Sequence, residues 1–105
     1  MVKKNRPKTV LEQLSLANKT IIVTGGGTGL GREMVRHLAR AGADLVIAAR
    51  RSGPIQEAVE EVQRMGRRAI AVSTDVTDSA QVNTMVERTI EEFGKIDVLL
   101  ITVRN

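Results

Sequence analysis

Short apolar runs alternate with longer amphipathic segments along most of this 105-residue chain. In each run the apolar residues occupy successive positions rather than alternate ones, which is typical of strands buried on both faces of a parallel sheet. Each amphipathic segment stops at a glycine, Gly42, Gly66 or Gly94, and glycine readily adopts the left-handed conformation that closes a helix. The pattern therefore predicts an α/β fold: a doubly wound parallel sheet of four strands in the order 3-2-1-4, with three covering helices.

The same pattern predicts where the elements begin and end. The strands are expected at residues 20–24, 44–49, 69–73 and 96–101. The helices are expected to begin near Gly29, after Gly53 and near Thr77 or Asp78. The apolar stripes that should face the sheet are Leu30, Met34, Val35, Leu38 and Ala41 in the first helix, Ile55, Ala58, Val59, Val62 and Met65 in the second, and Val82, Met85, Val86, Ile90 and Phe93 in the third. Glu57, Glu60 and Glu61 are expected to form a solvated face of the second helix.

The net charge of the chain is concentrated at one end. It is +4 overall, and residues 1–20 hold five basic residues against one acidic residue, so the remainder is balanced. We therefore predict a basic, partly disordered arm at residues 1–13, a single domain at residues 14–105, and no nucleic-acid binding. The chain has no cysteine and no apolar run long enough to span a bilayer, which predicts a cytoplasmic location without membrane attachment. No metal site is predicted.

A glycine-rich segment, TGGGTGLG at residues 24–31, follows the first predicted strand and opens the first helix. A strand, a glycine turn and a helix N-terminus in this order let backbone N–H groups close on a pyrophosphate. Gly25 would permit a tight exit from the strand, Gly29 a close approach to the phosphates, and Gly31 close packing of the helix on the sheet. The predicted cofactor-binding residues of this segment are Thr24, Gly25, Gly27, Thr28, Gly29, Leu30 and Gly31. The segment therefore predicts a dinucleotide ligand.

In this context the chain resembles the classical short-chain dehydrogenases/reductases. TGGGTGLG matches the TGxxxGxG segment of that family, and the resemblance runs from about residue 14 to residue 100. Asp75 and Val76 look like the family pair that contacts the adenine ring, and FGKIDVLL at residues 93–100 looks like the family's entry into strand four. The resemblance implies the Rossmann-like, N-terminal half of an oxidoreductase that transfers hydride between NAD(P)H and a carbonyl/alcohol or enoyl substrate.

The residues after the second predicted strand indicate which nicotinamide cofactor is preferred. An NAD site usually has an acidic residue there, which accepts a hydrogen bond from the ribose 2′-hydroxyl. Here the residues are Ala49, Arg50 and Arg51, and guanidinium groups suit phosphate oxygens. NADP is therefore predicted in preference to NAD, with Arg50 as the first ligand of the 2′-phosphate and Arg51 as the second. The alternative is a solvated arginine pair in a loop.

Part of the family pattern has no counterpart in this chain. The NNAG motif that normally ends strand four is replaced by ITVR at residues 101–104, and there is no tyrosine for the family's YxxxK motif. In the family that tyrosine delivers a proton to the substrate and the lysine lowers its pKa, so no catalytic residue is predicted. Three interpretations stay open: a truncated cofactor-binding half, a stand-alone dinucleotide-binding or regulatory module, and a half-enzyme that needs a separate C-terminal partner. The unprotected edge of strand four also predicts self-association.

Overall fold

The computed structural model describes residues 15–102, so the predicted arm at residues 1–13 lies outside the described part. Strands and helices alternate along the described chain, as predicted. The strands are β1 (Thr20–Thr24), β2 (Asp44–Ala49), β3 (Ala69–Ser73) and β4 (Val98–Ile101), and the helices are α1 (Gly29–Arg40), α2 (Ser52–Arg64) and α3 (Ser79–Phe93). The bounds of β1, β2 and β3 match the predicted ones, whereas α2 begins earlier and β4 later than expected.

The four strands form one parallel sheet in the order β3-β2-β1-β4, which confirms the predicted topology. Ile22 of β1 pairs with Val46 of β2 on one side and with Leu99 of β4 on the other. The chain order therefore reverses at β1. In doubly wound sheets a crevice opens at the carboxyl ends of the strands beside such a reversal.

Alternate residues of the strands supply a hydrophobic core on each face of the sheet. The core on the first face, against α1 and α2, includes Ile21, Val23, Val35, Leu38, Leu45, Ile47, Ile55 and Val59. The core on the second face, against α3, includes Ile22, Val46, Ala48, Val72 and Met85. Helices therefore pack on both faces, as the continuous apolar strands predicted. No helix within residues 15–102 has the length and hydropathy that a membrane crossing requires.

Two residues of the predicted apolar stripes are exposed. Leu30 is 72% exposed and lines a cleft at the end of the sheet, and Ile90 is 45% exposed on α3. The buried residue at that level of α3 is Thr89, which lies one turn after Met85. The Thr89 hydroxyl donates to the carbonyl of Met85 at 2.8 Å, so a polar residue can occupy the core position. Ile90 points about 100° away from Thr89 around the helix.

The ends of the helices follow the predicted signals. Gly42, Gly66 and Gly94 all have positive φ, at 104°, 83° and 80°. Asp78 is the N-cap of α3, and its carboxylate accepts hydrogen bonds from the N–H groups of Ala80 and Gln81. The boundaries of this helix are therefore set by local residues, as the sequence indicated.

A carboxylate joins the start of β4 to the start of β1. The N–H of Thr20 donates to Oδ2 of Asp97 at 2.8 Å, and the N–H of Asp97 donates to the carbonyl of Thr20 at 2.9 Å. Lys95 Nζ lies 2.8 Å from the same Oδ2. The hydrogen bond from Lys95, followed by the one from Thr20, lowers the pKa of Asp97 below its usual value. The charged form of Asp97 is therefore the one that these contacts between the starts of β4 and β1 stabilise.

Candidate functional site

A cleft of about 770 Å³ opens at the carboxyl ends of the strands, beside the reversal in strand order. It is formed by the glycine turn and by the residues that follow each of the four strands. Its lining residues are Thr24, Gly25, Gly27, Thr28, Gly29, Leu30, Gly31, Ala49, Arg50, Arg51, Pro54, Thr74, Val76, Ile101 and Thr102. All the predicted cofactor-binding residues except Asp75 therefore line one cleft.

The glycine turn, residues 24–31, folds tightly over the end of β1. Gly25 has φ +71°, and its N–H donates to the carbonyl of Ala48 at 2.7 Å. A Cβ atom at Gly31 would lie 2.0 Å from the carbonyl oxygen of Gly25 and 2.7 Å from its carbonyl carbon. Only glycine fits at position 31, because the first turn of α1 packs against the backbone of the glycine turn itself. The sequence predicts that Gly31 allows close packing of the helix on the sheet, whereas the atoms nearest to it are those of Gly25 and Gly26 in the turn.

The middle of the glycine turn contacts α2 and opens toward solvent. A Cβ atom at Gly27 would lie 2.9 Å from Cβ of Pro54, so the turn packs closely on the first turn of α2. Gly29 has φ +56°, and no atom lies within 4 Å of its Cβ position. Thr28 is the N-cap of α1, but its side chain makes no capping hydrogen bond. A helix N-terminus of this kind favours an anion, because its first N–H groups have no partner within the helix.

Arg50 and Asp75 meet across the ends of β2 and β3. Arg50 Nε lies 3.6 Å from Oδ1 of Asp75. The same oxygen accepts hydrogen bonds from the hydroxyl of Thr77 at 2.7 Å and from its N–H at 2.9 Å. These bonds from Thr77, and then the charge of Arg50, lower the pKa of Asp75 below its usual value. Asp75 therefore stabilises a turn and pairs with Arg50 at the rim of the cleft, rather than lining it.

Several residues of the cleft were not predicted from the sequence. The hydroxyl of Thr102, after β4, donates to the carbonyl of Thr24 at 2.6 Å. Thr74, after β3, is buried; its hydroxyl donates to the carbonyl of Val72 at 3.0 Å and its N–H to that of Ala49 at 2.8 Å. Neither threonine belongs to a local pattern that marks a site. The one signal in the sequence that could have found them is that each directly follows a strand. Because the carboxyl ends of parallel strands lie at the same edge of the sheet, such residues come together there.

A second groove of about 740 Å³ lies between the starts of α1 and α2, with Arg32, Arg36, Arg51 and Glu57 among its lining residues. Beside it, Glu61 binds two arginines: its Oε1 lies 2.9 Å from Arg32 Nε and its Oε2 lies 2.8 Å from Arg36 Nε. The Glu61 side chain is only 23% exposed, so the prediction that it belongs to a solvated face is wrong. The hydrogen bond from Arg36, and then the one from Arg32, lowers the pKa of Glu61 below its usual value.

Comparison with known proteins agrees with this geometry. Residues 19–104 match the family model for the short chain dehydrogenase. The chain is 43% identical over 86 residues to an L-rhamnose 1-dehydrogenase (NAD(P)(+)) of Sphingomonas sp. (strain SKA58). The aligned segment covers 81% of this chain and 34% of that protein.

Two solved structures that hold a nicotinamide cofactor are similar to the fold. L-sorbose reductase from Gluconobacter frateurii, complexed with NADPH and L-sorbose, has a TM-score of 0.82 and 27% identity, and the match covers 88% of this chain and 35% of that one. A 3-ketoacyl-(acyl-carrier-protein) reductase from Brucella melitensis, complexed with NADH, has a TM-score of 0.75 and 34% identity, and the match covers 81% of this chain and 34% of that one.

This chain spans about a third of the length of each of these relatives. The match nevertheless includes the whole described sheet and the complete glycine turn. The family model, the strand order and the glycine turn at the strand reversal all lead to the same assignment. The chain belongs to the short-chain dehydrogenase family.

Proposed function

We propose that this chain forms the dinucleotide-binding portion of an NADP-dependent oxidoreductase that transfers hydride between the nicotinamide and a carbonyl/alcohol substrate. The observation that carries the proposal is that one cleft is lined by the glycine turn, Arg50 and Arg51. The backbone of the glycine turn would hold the pyrophosphate at the start of α1. Val76, which also lines the cleft, would contact the adenine, with Asp75 beside it at the rim.

The preference for NADP rests on the side chains at the end of β2. Arg50 and Arg51 occupy the position where an NAD site would offer a carboxylate to the ribose 2′-hydroxyl. Arg50 is paired with Asp75 at 3.6 Å, but exposed ion pairs of this kind contribute only about 0–1 kcal/mol. A 2′-phosphate can therefore replace Asp75 as the partner of the Arg50 guanidinium at a small cost in free energy. The relatives do not indicate which cofactor this chain prefers, because their names and complexes include both NAD(H) and NADPH.

We assign no catalytic residue in this chain. The 105 residues contain no tyrosine, and proton transfer to a substrate carbonyl needs a positioned acid of suitable pKa. When bound, the cofactor would supply the hydride, while the residues of this chain bind and orient it. Binding without turnover is therefore what we propose for the chain itself. The cytoplasmic location stays a prediction.

A calorimetric titration of the full chain with NADPH and with NADH tests the proposal. NADPH is expected to bind more tightly than NADH. The double variant Arg50→Ala/Arg51→Ala should weaken NADPH binding by about 10- to 100-fold, the loss expected for charge-assisted hydrogen bonds to a phosphate. NADH binding should change little, because NADH has no 2′-phosphate.

Arg64→Ala is the matched control for this titration. Arg64 lies at the far end of α2 from Arg51, so its removal changes the net charge without touching the cleft. The double variant removes two charges and Arg64→Ala removes one. A loss of NADPH affinity in Arg64→Ala that is half the double variant's loss or more, on a logarithmic scale, would therefore make the effect one of net charge and the assignment of Arg50 and Arg51 wrong. Tighter binding of NADH than of NADPH by the unmodified chain would overturn the NADP preference, and no binding of either would overturn the binding function.

A further inference from the structure

We propose that Arg32 is a positioning residue for the cofactor, because it joins the glycine turn to α2 and so fixes the orientation of the peptide between Gly27 and Thr28. The proposal rests on the proposed function for its ligand. Arg32 is not among the residues that line the cleft at the strand ends; it lines the second groove, between α1 and α2. The groove and the cleft share the middle of the glycine turn, and we propose that Arg32 acts on the cofactor through the backbone of this shared segment.

The guanidinium of Arg32 binds two groups at once. Its Nη1 donates to the carbonyl of Gly27 at 3.3 Å, and its Nε donates to Oε1 of Glu61 at 2.9 Å. Glu61 belongs to α2, whose first turn already contacts Gly27 through Pro54. Arg32 thus links α1, the middle of the glycine turn and α2 in one cluster. A planar guanidinium suits this role, because its donors are held in a fixed geometry.

The orientation of this peptide matters for an anion. All peptide bonds of the described residues are trans, so the carbonyl of Gly27 and the N–H of Thr28 point in opposite directions from a rigid plane. When Arg32 holds the carbonyl, the N–H of Thr28 is directed away from Arg32. Without that contact the peptide could rotate and present its carbonyl oxygen to a bound phosphate, which would repel the phosphate. Thr28 lines the cleft, so this peptide lies where the pyrophosphate is proposed to bind.

Arg36 provides a matched control within the same cluster. It donates to the other oxygen of Glu61 at 2.8 Å, and its second contact is Glu33 on its own helix at 2.9 Å. Arg32 and Arg36 therefore share Glu61 and differ in their other contact: Arg32 reaches the carbonyl of Gly27 in the turn, whereas Arg36 reaches Glu33. Substitution of either residue by lysine keeps the charge and removes one guanidinium bond to Glu61. A difference between the two variants then reports the contact with Gly27.

The first test needs no ligand. Amide hydrogen exchange of a peptide covering residues 25–31 would be compared in the unmodified chain, Arg32→Lys and Arg36→Lys. Lysine retains the charge and the helix propensity, so both variants should fold, but its single nitrogen cannot reproduce the two-ended guanidinium bridge. Faster exchange in Arg32→Lys alone, by about tenfold, supports the proposal. Equal exchange in the two variants, or no change in Arg32→Lys, would overturn it.

The second test measures affinity for NADPH and NADH in the same three proteins. Both cofactors contain the pyrophosphate, so Arg32→Lys should weaken both by the same factor, about tenfold. The Arg50→Ala/Arg51→Ala variant should instead weaken NADPH alone. A loss in Arg32→Lys that is confined to NADPH, or matched by Arg36→Lys, would contradict a role in orienting the turn. If the unmodified chain binds neither cofactor, the proposed function fails, while the exchange experiment still decides whether Arg32 holds the turn.

Discussion

The glycines of the described chain differ sharply in the room that the surrounding atoms leave for a side chain. Gly31 faces the backbone of Gly25, which cannot move without changing the turn, whereas Gly53 in α2 has no atom within 4 Å of its Cβ position. The two glycines therefore have different reasons to be glycine. At Gly31 the close approach of two backbones decides the residue, and at Gly53 the space would accept a methyl group.

Gly31→Ala is expected to destabilise the fold by about 1–3 kcal/mol, which is typical of overpacking in a site that cannot relax freely. It should also weaken NADPH binding, because the backbone of the turn must shift to admit the methyl group. The control is Gly53→Ala, which should stabilise α2 by about 0.5–1 kcal/mol. Urea unfolding of both variants, with NADPH titrations, checks this. A Gly31→Ala variant as stable as the unmodified chain would show that the turn is not packed as described.

Carboxylate side chains begin one helix of the described chain and link two pairs of its elements. Asp78 begins α3 through two backbone N–H groups, Glu61 ties α2 to α1, and Asp97 ties β4 to β1. The pKa values of Glu61 and Asp97 are both lowered by these contacts. Their stabilising contributions therefore depend on pH in the same direction.

Asp97 gives the clearest pH test at this scale. Because its pKa in the folded chain lies below the ordinary value of 3.8, its stabilisation is present above that value and is lost as the pH falls through the lower, folded-state value. Asp97→Asn should lower the melting temperature at neutral pH, and the difference from the unmodified chain should shrink as the pH falls below 3.8 and through the lower, folded-state pKa of Asp97. Melting curves of both proteins, recorded from neutral to acidic pH, measure this difference in melting temperature.

Glu87→Gln controls for the loss of one negative charge, since Glu87 lies on an exposed part of α3 and is not among the partners of β1 or β4. A difference between Asp97→Asn and the unmodified chain that persists unchanged at low pH would mean that shape rather than charge attaches β4 to β1.

At the scale of the whole described molecule, β4 lies at one edge of the sheet. β4 pairs with β1, and the described residues supply no strand on its other side. Val98, Leu99 and Ile101 are exposed on it. An apolar edge with free backbone groups invites pairing with another chain. Self-association through β4 therefore remains our prediction for the isolated chain.

Sedimentation velocity over a range of protein concentrations checks this. The unmodified chain should show concentration-dependent association, and Leu99→Lys should reduce it, because a charged side chain on an edge strand opposes pairing. The control is Ile90→Lys, which replaces an exposed apolar residue on α3 rather than on the edge strand. Equal reductions in the two variants would point to general surface hydrophobicity instead, and a monomer at all concentrations would overturn the prediction.

Local sequence signals predicted most of the fold. The continuous apolar runs, the closing glycines and Asp78 depend on neighbours along the chain, so they located the strands and helices closely. The strand order followed from the right-handedness of the crossovers. The prediction failed at Leu30 and Ile90, because amphipathic periodicity does not say where a helix extends past the sheet or that Thr89 can be buried through its own helix carbonyl.

The sequence by itself determined the order of the elements and the glycine turn, since both are encoded by residues within a few positions of one another. The tertiary structure alone decided which distant residues meet: Thr102 with Thr24, Arg50 with Asp75, and Arg32 with both Gly27 and Glu61. The physical reason is that these contacts join segments far apart in the chain. Their partners are chosen by the register of parallel strands and by the packing of α1 against α2, which no local pattern contains.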